Sequence, residues 1–138
     1  MPITKFTPRQ KKVNIYSDFK KNLEISPLSN DLSVLKDEDA VKESLKNLLL
    51  TDPGERPMQP YLGGGIRALL FENLTPAVLT MIRERIISTL GIYEPRAELI
   101  DVTVASTIDE NAVQAIIQFY ISNNEQPIVL DVILERTR

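Results

Sequence analysis

The stretch "GIYEPRAELIDVTV", residues 91–104, contains the change of period on which the fold turns. Before it, Val78, Ile82, Ile86 and Leu90 recur about once per helical turn, with Leu79, Met81 and Ile87 widening the stripe. Inside it, Ile100, Val102 and Val104 alternate with Asp101 and Thr103, the period of a half-buried strand. A helix is expected from Thr75 as the cap, with Pro76 at its first position and Gly91 just past its end. Pro95 pushes Glu94 towards an extended conformation, and if Arg96 is extended too, the two charges project to one side. An acceptor and a fork-shaped donor on a stiff backbone suit bidentate recognition of another chain. The same residues also serve as an internal helix-to-strand connector whose charges satisfy one another. Both readings stand on pattern alone.

Two more strands follow. Val113, Ala115, Ile117, Phe119 and Ile121 alternate with Gln114, Gln118 and Tyr120, and Ile128, Leu130, Val132 and Leu134 alternate with Asp131 and Glu135. The turn-rich connectors "DEN" (109–111) and "NNEQP" (123–127) make a meander the simplest topology. Upstream, "DEDAVKESLKNLLLT" (37–51) places Val41, Leu45, Leu48 and Leu49 on one helical stripe, with Asp37 as cap and Glu38 and Asp39 at the positive end of the dipole. The fold class is α+β: a C-terminal three-stranded antiparallel meander covered on one face by two helices.

Between the helices, residues 52–73 hold three prolines and four of the five glycines, and read as loop with one short helical turn at "IRALLF". A connection this long inside one domain is usually functional. Residues 16–138 form a single domain, and the proline-broken residues 1–15 an arm that is mobile or ordered by a partner. Within the polar start, "FKKNLEI" (19–25) fits a short edge strand with Phe19, Leu23 and Ile25 on one face.

Composition narrows the chemistry. The 138 residues are 43% apolar and 25% charged, as in one ordinary globular domain. A net charge of −3 gives no broad basic field for nucleic acid. No run is long enough for a membrane span, and the first residues lack the apolar core of a signal peptide, so a cytosolic product is expected. With neither cysteine nor histidine, thiolate chemistry, the usual zinc sites and Ser-His or Cys-His nucleophiles are excluded. Carboxylate chemistry or none remains, and no cofactor is expected. Glu55, Glu72, Glu94 and Glu98 could in principle supply a glycosidase acid and base, but no spacing compels such a pair, and a neighbouring arginine lowers rather than raises a carboxylate pKa.

Gly63-Gly64-Gly65 lacks the Lys-Ser/Thr and the preceding strand of a phosphate loop. Arg67 alone could meet an anion; otherwise the glycines make a flexible or close-packed turn. "GERP" (54–57), with Glu55 and Arg56, matches "YEPR" (93–96) in kind: glutamate, arginine and proline in a short non-helical segment.

"YSD" (16–18), "LLLTDPGERPMQPYLGGGIRALLFENLTP" (48–76) and "YEPRAEL" (93–99), in this order and spacing, resemble the small wedge subunit of contractile phage tail baseplates, a family shared with the type VI secretion baseplate. The resemblance runs from about Tyr16 to the C-terminus. It implies a non-enzymatic protein, similar to the conserved domain of the tail sheath subunit, at the junction of baseplate and tail. Such a protein docks onto a helical bundle of larger wedge subunits and templates the first ring of sheath subunits by strand addition, in several copies around a ring. The resemblance implies docking through Glu94, Pro95 and Arg96; Glu55 and Arg56 of the like-built "GERP" segment and Arg67 after the glycines are expected as further partner contacts. The implied location is a virion tail baseplate assembled in the host cytoplasm; a secretion baseplate in the bacterial cytoplasm is the alternative. Members once carried a lysozyme-like label, which makes a peptidoglycan glycoside hydrolase the rival reading.

Overall fold

Where the period changes, a long helix hands over to a sheet. The computed structural model describes residues 15–107, 112–122 and 124–136, so the arm expected over most of 1–15 and the "DEN" connector lie largely outside the described residues. In chain order the elements are β1 (Ser17–Phe19), β2 (Val34–Lys36), α1 (Glu38–Leu50), α2 (Ile66–Leu70), α3 (Pro76–Tyr93), β3 (Ala97–Ser106), β4 (Ala112–Ile121) and β5 (Asn124–Glu135). The last three form an antiparallel sheet in the order β3-β4-β5, the expected meander. One face is buried under α1 and α3, with Ile66 and Leu70 of α2 completing the cover.

The α1 stripe is as expected: Val41, Leu45, Leu48 and Leu49 are all buried. On α3, Ile82, Ile86 and Leu90 enter the core, and Val78 and Leu79 lie against it. Met81 and Ile87, expected to widen the stripe, stay on the exposed side, because three anchors one turn apart already fill the width facing β3. In β4 and β5 the alternation holds, with Val113, Ala115, Ile117, Phe119, Ile121, Ile128, Val132 and Leu134 buried.

In β3 the alternation breaks. Leu99 pairs with Phe119 but Asp101 pairs with Gln118, leaving Ile100 as an extra residue in a bulge. The inserted residue flips the phase, so Ala97 and Leu99 face inward before it and Val102 and Val104 after it, while Ile100 is 45% exposed. A second irregularity lies between Phe119 and Ile121, opposite the stretch holding Pro127. There β5 already begins at Asn124, so most of "NNEQP" is strand rather than connector. Proline is tolerated at this place because β5 is an edge strand.

Three local expectations are corrected. Gly91 lies inside α3 rather than past its end; the helix stops at Glu94, whose N–H bonds Leu90 O at 2.9 Å. Pro95 sets that stop, by disfavouring helical backbone at Glu94 and lacking an N–H of its own. Asp37 precedes α1 but caps nothing with its side chain, which turns back to accept from the N–H groups of Ile15 (2.9 Å) and Tyr16 (3.3 Å). Of the strand expected over 19–25 only Phe19 lies in a strand, at the end of β1, which pairs with β2 in a separate two-stranded ribbon, and Phe19, Leu23 and Ile25 are all exposed.

Candidate functional site

The site is a turn closed by its own charges. Ala97 N–H bonds Glu94 O at 3.2 Å, so residues 94–97 form a tight turn with Pro95 at its second position. This differs from the extended segment expected, yet it brings Glu94 and Arg96 together more firmly. Arg96 Nε donates to Glu94 Oε1 at 2.5 Å and an Arg96 terminal nitrogen donates to Oε2 at 2.8 Å, a bidentate pair. Ser44 of α1, 50 residues away in sequence, donates its hydroxyl to Glu94 Oε2 at 2.5 Å and accepts from Arg96 at 3.1 Å. The Arg96 guanidinium also lies over the Tyr16 ring, 5.4 Å from its centre. The clamp therefore ties the α3–β3 turn to α1 and to the segment entering β1.

Burial differs between the two charges. The Glu94 side chain is 5% exposed and that of Arg96 36%. Burial pushes the Glu94 carboxyl up, but the hydrogen bonds from Arg96 and Ser44 and the adjacent guanidinium charge outweigh it and leave the pKa below the ordinary value. For Arg96 the hydrogen bond from its side chain to Glu94 prevails over burial and raises its pKa.

The "GERP" segment makes a different object. Glu55 N–H bonds Asp52 O at 3.1 Å, and Gly54 at φ 88° occupies the left-handed third position of that turn. The Glu55 carboxylate folds back onto Asp52 N at 2.9 Å, and Arg67 Nε reaches Asp52 Oδ2 at 3.3 Å. Glu55 and Arg67 thus hold one residue between them, whereas Arg56 makes no ion pair among the described residues. The loop is fixed further along by Gly63: at φ 121°, a Cβ there would sit 2.3 Å from Thr51 O. The triple glycine is close-packed, not open. Tyr93 Oη donates to Tyr61 O at 2.7 Å and joins the loop to the end of α3.

Between loop and clamp opens a polar groove of about 500 Å³ lined by Ser44, Asn47, Arg56, Gln59, Tyr93 and Glu94. Of the proposed site residues, Glu94 and Arg56 share this groove; Glu55 and Arg67 surround Asp52 beside it, and Pro95 is exposed on the turn. Ser44 was not legible from sequence, since it sits among α1 polar positions with no motif around it. Tyr16 carried a signal in "YSD", but not its role beneath Arg96.

A sequence model of the family described as baseplate wedge protein gp25 matches residues 35–126. The chain belongs to this family. The baseplate wedge protein gp25 of Enterobacteria phage T4 is 29% identical over 114 residues, covering 83% of this chain and 86% of that protein. A Geobacter sulfurreducens crystal structure, described as a candidate tail lysozyme, matches with a TM-score of 0.70 at 27% identity, over 77% of this chain and 97% of its own. The anti-feeding prophage baseplate, seen by electron cryomicroscopy, contains a chain matching with a TM-score of 0.61 at 26% identity, over 89% of this gp25-family chain and 87% of its own.

The lysozyme description of one relative finds no counterpart in this gp25-family site. A glycosidase acid needs a carboxyl whose pKa is raised. Here the buried carboxyl, Glu94, is held below its ordinary value by a guanidinium, and Glu55, Glu72 and Glu98 are exposed. Among the described residues, no three His, Cys, Asp or Glu side chains are grouped to hold a metal ion, and no helix is long and apolar enough to cross a membrane.

Proposed function

We propose that this wedge-family protein docks onto the helical bundle of the larger baseplate wedge subunits and offers the first ring of tail sheath subunits an edge on which to start. Membership of the gp25 family supports a structural component of a tail baseplate, and a non-enzymatic role is part of this proposal. The docking surface is the groove side of the molecule, with Arg56, Glu55, Arg67 and the Pro95 turn facing the partner and the Glu94–Arg96 clamp holding that turn in shape. The similarity to the conserved sheath domain is part of this proposal, as is a ring of several copies.

One observation carries the templating half: the two sheet edges are unequal. On β3, Arg83 of α3 donates Nε to Val102 O at 2.6 Å and reaches Asp101 at 3.3 Å, occupying that edge. On β5, among the described residues, no side chain bonds the backbone between Ile128 and Glu135. An unoccupied edge accepts a strand from a neighbour.

The same bond fixes which β5 groups are free. Val102 O points away from β4, so Val102 and its partner Ile117 form a non-hydrogen-bonded pair, and Ile117 then bonds Leu130. Leu130 faces the ladder, and Val129, Asp131 and Ile133 direct their N–H and C=O outward. Ile133→Pro therefore deletes an edge donor without breaking the sheet. The expected result is a folded protein that enters the wedge while sheath fails to start on it. Normal sheath assembly on that variant would remove the strand-addition reading.

A further inference from the structure

Asp37 stands in a backbone conformation that L side chains avoid. At φ 46° and ψ −106° it lies close to the first central position of a type II′ turn, a place for glycine. A residue held this way persists only where its surroundings over-determine it. Here they do. Asp37 N–H donates to Tyr16 O at 2.9 Å, and Asp37 Oδ1 accepts from Ile15 N–H at 2.9 Å and from Tyr16 N–H at 3.3 Å. The strained residue thus grips two consecutive residues, 22 and 21 positions upstream.

What it grips leads to the clamp. The Tyr16 ring lies under the Arg96 guanidinium, which stands 5.4 Å from the ring centre, while Glu94 and Ser44 hold that guanidinium at its edge. Two residues on, Asp18 of β1 lines the groove together with Ser44 and Glu94. The edge contacts fix the guanidinium within its plane, and the ring face limits its tilt out of that plane. The ring can do this only where its backbone is held, and Asp37 holds it.

The ribbon on the other side of Tyr16 uses the same anchor. Its strands pair Ser17 with Lys36, Asp18 with Leu35 and Phe19 with Val34, and further out Ile25 bridges Leu32. A ribbon of two strands is marginal in water on its own. Asp37 closes its base: Ser17 and Lys36 are the first strand pair, and Tyr16 and Asp37 are the residues next to them. One residue therefore stands between the ribbon, α1 and the clamp.

We infer that Asp37 is a positioning residue for the clamp: acting through Tyr16, it sets the Arg96 guanidinium, so that the β1–β2 ribbon and the Pro95 turn loosen and tighten as one unit. The coupling is reciprocal. A partner that grips the closed turn also steadies the ribbon, and one that grips the ribbon favours the closed turn. The docking reading gives the shape of the turn its use; the coupling itself is tested in the chain alone and stands or falls without that reading.

Hydrogen exchange followed by NMR on the full chain reads both ends of this coupling. The amides of Ser26 and Ser33, which donate to Asp31 O and Glu24 O, report the ribbon, and Arg96 Nε–H, which donates to Glu94, reports the clamp. Asp37→Gly suits the backbone but deletes the carboxylate. The expected result is exchange about tenfold faster at both reporters, the scale of one charged hydrogen bond, with the Ile82 and Ile86 amides of α3 unchanged. Asp37→Asn keeps an accepting oxygen and tolerates positive φ, so it should restore most of the protection. Tyr16→Leu should speed Arg96 Nε–H exchange by itself and leave Asp37→Gly no further effect there. Four results would overturn the inference. The ribbon could loosen with Arg96 unchanged, or both reporters could hold or slow in Asp37→Gly, as relief of strain alone would give. Equal acceleration at Ile82 and Ile86 would make Asp37 a general stabilising residue. An effect on Arg96 that persists in Tyr16→Leu would bypass the ring.

Discussion

Two short segments of nearly the same composition, "GERP" and "YEPR", become opposite structures. In "YEPR" the glutamate is buried, both its oxygens are taken, and the arginine two residues on is its partner. In "GERP" the glutamate and arginine are adjacent, both exposed, and the glutamate is spent on its own loop. Register decides the outcome. With one proline between them, Glu94 and Arg96 sit at the first and third positions of a tight turn and converge, whereas neighbouring Glu55 and Arg56 diverge. A closed ion pair gives shape to its own chain, and an open charge is available to another.

The sharpest way to break this contrast is to open the closed site. Arg96→Ala leaves a buried carboxylate without its counter-charge, with the Ser44 hydroxyl as its remaining side-chain partner. Removing one partner of a buried pair costs roughly 3–5 kcal/mol, and the partial exposure of Arg96 places this case at the lower end. Chemical denaturation of the isolated protein checks it. A loss below about 1 kcal/mol would show that water replaces the guanidinium and that the site is not closed in the sense used here. This cost also means that an assembly defect in Arg96→Ala reports folding first, so partner contact has to be tested elsewhere.

A smaller effect, and one specific to the clamp, appears in acid. The Glu94 pKa lies below its ordinary value of 4.5 when folded, so the unfolded chain takes up the proton first. The clamp's contribution is therefore complete above about pH 4.5 and is lost as pH falls through the lower folded value. Thermal midpoints between pH 6 and pH 3 should fall more steeply for the wild type than for Glu94→Gln. In Arg96→Ala the dependence of this group should weaken, because the guanidinium's hydrogen bonds and charge are lost while burial still pushes the carboxyl up against the remaining hydrogen bonds from Ser44 and the backbone of residue 96. Parallel curves for all three proteins would mean that Glu94 titrates as a solvent-exposed residue.

Much of the frame was legible in sequence because it rests on period. The α1 stripe, the alternation in β4 and β5 and the meander follow from where Leu, Ile and Val recur. What failed did so where a local rule met a tertiary demand. Ile100 keeps perfect alternation on paper, but the bulge removes it from the count. Gly91 has the residue type of a helix end, yet Pro95, four residues on, is the stronger stop. Asp37 has the residue type of a cap, and Ile15 and Tyr16 claim its carboxylate first. At the site, the convergence of Glu94 and Arg96 could be read from spacing. Ser44, 50 residues upstream, could not, because only the packing of α1 against the α3–β3 turn brings it there.

The smallest effect on stability carries the most information about partners. Arg56 is exposed and unpaired among the described residues, on the rim of the polar groove beside Ser44 and Glu94. Arg56→Ala removes no side-chain hydrogen bond or ion pair among the described residues and should change stability by no more than about 0.5 kcal/mol in either direction. If the open segment faces a neighbour, the same substitution should weaken incorporation into the wedge, by about tenfold for each 1.4 kcal/mol of lost contact. Arg56→Lys should recover only part of that loss, since a point charge lacks the guanidinium's planar fork. Competition between wild-type and variant protein for assembling wedges, read by mass spectrometry, measures this without requiring a functional particle. Equal incorporation would place the partner elsewhere and reduce "GERP" to a loop that only completes its own fold. Unequal incorporation with unchanged stability would separate the two segments by function as clearly as their geometry does.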